Sequence, residues 1–88
     1  MTNYKNFKIY EIAQVIRKDW VKMSPYAKHY VDAMHCIKNI DEMHVADRAS
    51  SVVNYFLANA QSWRGDIARE VKKELNSRIT MYNKNFKV

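Results

Sequence analysis

ASSVVNYFLANA, residues 49–60, is the stretch on which the fold turns. Ala49, Val52, Val53, Phe56, Leu57 and Ala60 recur at i, i+3, i+4, i+7, i+8 and i+11, the spacing of one buried helical face and not the alternation of a strand. No charged residue falls between Ala49 and Trp63, and the opposite side carries Ser51, Asn54, Tyr55 and Ala58. A helix with that composition is either central and contacted on most sides, or turns a neutral face to a partner. Central placement is the preferred expectation, and Asp47 is expected to help start the helix.

The same period extends on either side. Ile9, Ile12, Ala13, Ile16, Trp20 and Met23 form one stripe, so a first helix is predicted over about 9–23. Ser24-Pro25 then offers a cap and a first helical residue that needs no N–H. A second helix is predicted from Pro25 to about Lys38, with Tyr26, Tyr30, Ala33, Ile37 and Ile40 inward and Met34 and Cys36 on its flanks. NIDEMHVAD, residues 39–47, has no period and reads as the longest connection. A fourth helix is predicted from near Trp63, capped by Ser62, to about Tyr82. Its stripe is Ile67, Ala68, Val71, Leu75 and Ile79, and Glu74 stands four before Arg78 in the favourable orientation. Gly65 would sit in its first turn, where glycine is costly unless something approaches the backbone closely.

The expected fold is therefore all-α, a compact bundle of about four helices. Its 88 residues make a single domain, with residues 1–8 and 83–88 as basic-aromatic terminal arms. A chain of this size buries only about 60–65% of its unfolded surface and cannot hold two cores. One glycine and one proline are too few for a fold of many hairpins. The lone Cys36 cannot form an internal disulfide, and no apolar run approaches the length of a membrane span. The expected location is the cytoplasm of a bacterial host cell.

The net charge is +6, yet residues 9–81 carry only +2 of it. The surplus lies on KNFK, which occurs at residues 5–8 and again at 84–87. Lys5, Phe7 and Lys8, and Lys84, Phe86 and Lys87, alternate base with aromatic. Lysines neutralise phosphate while aromatic faces stack on unpaired bases. The competing reading has the two ends lie side by side and close the bundle with their rings. A second basic set, Arg64, Arg69, Lys72 and Lys73, falls on the fourth helix, where a helix-turn-helix would present it to a duplex. Asp66, Glu70 and Glu74 on the same helix weaken that field.

Catalysis and metal binding are not expected, and neither is a cofactor. His29, Asp32 and Cys36 share one side of the second helix at i, i+3 and i+7, but this is not a zinc spacing and a second cysteine is lacking. A snorkelling histidine and a buried cysteine beside a core stripe account for them. No base stands close enough to activate Cys36, and one glycine cannot form a phosphate-binding loop.

Residues 62–75, SWRGDIAREVKKEL, fit the pattern W-R-G-[DE]-x-A-R-E-x-K-K-E-L. With IAQVIRKDW at 12–20, they resemble a loose group of small proteins of phages and mobile elements to which no activity attaches. The resemblance implies an accessory protein made in an infected or element-bearing bacterium. It leaves two expectations. One is a protein that binds nucleic acid or a host nucleoprotein, in concrete form an anti-CRISPR-like inhibitor of a host defence effector. This would act through Arg64, Arg69, Lys72, Lys73 and the terminal lysines with Phe7 and Phe86. The other is a protein–protein adaptor or homo-oligomer that uses Ser51, Asn54 and Tyr55.

Overall fold

The computed structural model describes residues 4–44 and 47–85. A 3-10 turn, Tyr4–Asn6, leads into four helices: α1 (Ile9–Asp19), α2 (Pro25–Met34), α3 (Ala49–Ala58) and α4 (Asp66–Asn85). α1 and α3 each pack on both α2 and α4, so the four close into a ring around one hydrophobic cluster. The fold is an all-α bundle. Between α2 and α3, β1 (Met43–His44) and β2 (Asp47–Arg48) pair antiparallel, Met43 with Arg48 and His44 with Asp47.

α1 follows its predicted stripe. Ile9, Ile12, Ala13, Ile16 and Trp20 are all buried. The helix stops at Asp19, four residues short of Met23, with the Trp20 N–H closing on the Ile16 carbonyl at 2.8 Å. Its first turn is satisfied from outside: the Ile9 and Tyr10 N–H groups donate to the carbonyls of Lys38 and Ile37 at 3.0 and 2.8 Å. The Lys8 N–H donates to the Glu11 carboxylate at 2.7 Å, half of a capping box.

α2 begins as expected, with the Ala27 N–H donating to Ser24 Oγ at 3.2 Å and Pro25 in the first turn. Of the predicted inward residues, Ile37 is buried and Tyr30, Ala33 and Ile40 pack against the core, while Tyr26 turns outward and the stripe one residue on is the fully buried one. Ala27, Val31 and Met34 are buried, Tyr30 is half-buried, and Tyr26 stands 75% exposed. Both stripes have helical spacing, but a tyrosine turned inward must find a partner for its hydroxyl, whereas Ala27, Val31 and Met34 present no polar atom. The helix ends at Met34, four residues before Lys38, and Cys36 is exposed rather than buried.

α3 buries Ala49, Val52, Val53 and Phe56 as expected. It is one member of the ring and not its centre, so Asn54, Tyr55 and Ala58 face outward. Arg48, not Asp47, precedes its first turn, and the Ala49 N–H donates to the Glu42 carbonyl at 2.7 Å. The Glu42 carboxylate accepts from the N–H groups of Lys38 and Asn39 at 3.2 and 2.8 Å. One acidic residue thus organises the aperiodic connection.

α4 starts at Asp66, three residues after Trp63. Trp63 is drawn into the core, 2% exposed, where it stacks on Trp20 with centroids 5.8 Å apart and planes 11° apart. Phe56 meets both indoles edge-on, at 6.4 Å from Trp20 and 6.2 Å from Trp63. The Trp63 N–H donates to Asp19 Oδ2 at 2.8 Å. Burying that ring keeps residue 63 out of the helix. Gly65 therefore lies before α4 with φ +115°, and a Cβ there would meet nothing within 4 Å. Backbone conformation, rather than a close neighbour, explains the glycine. Of the predicted stripe, Ala68, Val71, Leu75 and Ile79 are buried, while Ile67 is 39% exposed.

Candidate functional site

Residues 5–8 come to rest against the C-terminal half of α4. Tyr4 is buried and meets Phe7 edge-on at 5.2 Å, which anchors the turn to the core. Arg78 then fastens the backbone. Its Nη2 donates to the carbonyls of Tyr4 and Lys5 at 2.9 and 3.2 Å, while its Nε donates to Glu74 Oε2 at 2.6 Å. The Arg78–Glu74 pair is largely buried, which strengthens a charge-assisted fork.

A cleft of 520 Å³ opens beside this clasp, walled by residues 5–8, residues 39–41 and the Arg78, Met81 and Tyr82 side chains. Lys5 and Lys8 stand on its first wall. Met81 is 62% exposed on its third, and Tyr82 receives the Arg48 guanidinium at 3.5 Å. Asp41 is the one acid of the lining. Lys84 follows Met81 by three residues, on the same side of α4. The structure thus brings Lys5, Phe7 and Lys8 to the end of the helix whose last described residues include Lys84; Phe86 and Lys87 lie outside the described residues.

The other basic set stands toward the opposite end of α4, Arg69 lying about 18 Å from Met81 along the axis. Arg64, Arg69 and Lys72 surround a 270 Å³ niche floored by Trp63, Gly65 and Ala68. The Lys72 ammonium donates to the Trp63 carbonyl at 2.6 Å and lies 5.9 Å from the centre of that ring. Burial, and next the charge of Arg64, hold it below its ordinary value of 10.5. Arg69 pairs with Asp66 at 2.9 Å, both exposed. Lys73 is exposed and does not line the niche. Seven residues, 59–65, separate α3 from α4, and the buried Trp63 begins no recognition helix. A tight helix-turn-helix uses three or four.

Ser51, Asn54 and Tyr55 share the outer side of α3, with Ser51 half-buried and the others exposed. Tyr55 contacts Tyr30 of α2 at 5.6 Å, and His29 meets Tyr30 edge-on at 5.4 Å. Tyr55, Tyr30 and His29, with Asp32 and Asp47 but without Ser51 or Asn54, line a second cleft of 510 Å³. Asp32 pairs with Arg17 at 3.7 Å, so it is turned toward α1 and not toward Cys36. Among the described residues, no three His, Cys, Asp or Glu side chains stand together as a metal-binding group. No described helix is long and apolar enough to cross a membrane.

Sequence reasoning missed the Arg78 clasp and the acid–tyrosine cleft. Glu74-x-x-x-Arg78 was visible as a pair, but the carbonyls that Arg78 also holds have no side-chain signature. Comparison with protein-family models, curated proteins and solved structures finds no match for this chain.

Proposed function

We propose that the protein is a small, non-catalytic accessory protein of a phage or mobile element that binds nucleic acid at the cleft between residues 5–8 and the end of α4. The observation that carries this reading is the cleft itself. It lines Lys5, Lys8, Phe7 and Tyr82 against one acid, with Lys84 on the adjoining helix side. Cations spaced among aromatic edges suit a single strand, whose phosphates need neutralising and whose unpaired bases offer stacking faces. Occupying that strand within a host effector is the anti-defence, anti-CRISPR-like form of the same reading.

The test is a salt titration of binding to a labelled single-stranded oligonucleotide. Each neutralised phosphate contributes about −0.7 to the slope of log K against log salt. Lys5→Gln with Lys8→Gln is expected to flatten that slope by about 1.4. Affinity indifferent to ionic strength argues against the reading.

A second reading, a protein–protein adaptor or homo-oligomer, is favoured by the outward Tyr55, 53% exposed beside the 510 Å³ cleft between α2 and α3. Capture from host lysate with and without nuclease separates the two. A partner kept after nuclease, lost with Tyr55→Ala and retained with Lys84→Glu, selects the adaptor.

A further inference from the structure

The geometry points to the niche of Arg64, Arg69 and Lys72 as a binding pocket for a phosphate monoester. This deepens the nucleic-acid reading and rests on it only for where the phosphate comes from. Three cations line the niche, and the one carboxylate bonded to them, Asp66 on Arg69, stands outside the lining. The cleft at the far end of α4 differs: its lining includes Asp41, and its Arg78 is spent on Glu74 and two carbonyls.

Lys72 is the fixed point of the pocket. Its ammonium has three donors, of which the Trp63 carbonyl takes one, and its stem is half-buried against the indole. Arg64 adjoins it closely enough to disfavour its charged form, a repulsion that an anion between them reverses. Arg69 closes the far rim, with Nη2 held by Asp66 and the rest of its fork unused by that contact. With Arg69 paired to Asp66, the three cations leave a net charge of +2, which matches the dianion of a terminal phosphate better than the single charge of a carboxylate or a bridging phosphodiester.

The shared chemistry is a terminal phosphate, whether free or on the end of a strand, and the experiment separates those sources. Inorganic phosphate is titrated into the whole protein while the Lys72 Nζ resonance is followed by NMR. A saturable shift with a raised Lys72 pKa is expected, absent in Arg64→Gln and present in Lys18→Gln, which removes the same charge elsewhere. In parallel, one single-stranded oligonucleotide is compared with a 5′-phosphate and with a 5′-hydroxyl. The phosphorylated form is expected to bind about tenfold tighter, the gain disappearing in Arg64→Gln. A saturable phosphate response with no binding of either oligonucleotide supports the pocket, makes free phosphate its ligand and defeats the nucleic-acid reading. Equal affinity for both oligonucleotides, with no saturable phosphate response, overturns the pocket while leaving the cleft reading intact.

Discussion

At its N-terminal end α4 is approached through Trp63, enclosed by Trp20 and Phe56 with its one polar atom bonded to Asp19. Fifteen residues later Arg78 holds the Tyr4–Asn6 turn by its carbonyls, beside a cleft open to water. The first end is joined by side-chain volume, the second by hydrogen bonds to main chain. Packing of the first kind is costly to disturb and confines a ligand to the surface niche over the buried ring. Attachment of the second kind fixes where the backbone runs through its carbonyls and not through its side chains.

Trp63→Ala should break the closed end most severely. Losing the buried, stacked ring is expected to cost about 3–5 kcal/mol in urea unfolding. Arg78→Met tests the other end. It keeps much of the stem but removes the fork, and a loss of about 1.5–3 kcal/mol is expected, with faster protease cleavage near residues 4–8. Equal protease resistance in Arg78→Met and the parent protein would mean that Tyr4 burial alone holds the turn. Asp19→Ala leaves the indole N–H without its acceptor and is expected to cost about 1 kcal/mol.

Lys72 sharpens the contrast through pH. Its folded pKa lies below 10.5, so the unfolded chain holds the proton more tightly between the two values. Its contribution to stability therefore rises as pH climbs through the lowered value toward 10.5, and is constant below that window. Lys72→Met is expected to remove this alkaline rise in thermal unfolding. Lys5→Gln is the mildest change: stability should stay within about 0.5 kcal/mol of the parent, while oligonucleotide affinity falls.

The closed end was more legible in the sequence than the open one. α1 has a single apolar stripe, so Ile9 through Trp20 had no rival arrangement. α2 has two stripes one residue apart, and periodicity cannot rank Tyr26 and Tyr30 against Ala27 and Val31. The start of α4 was misplaced because Ser62-Trp63 has the form of a cap and a first residue. Burial of the indole among Trp20 and Phe56 overrode that local signal. The basic residues were identifiable by type, but their division into a cleft and a niche depends on which end of α4 each lies beside. Sequence spacing could not give that for Lys5 and Lys8, some seventy residues away.

Arg78 grips oxygens that every amino acid possesses. Exchanging the side chain of residue 5 therefore leaves these two hydrogen bonds in place, whereas Tyr4 beside it also has its ring in the interior. The path of the chain at the mouth of the cleft is thus set independently of which side chains it carries there.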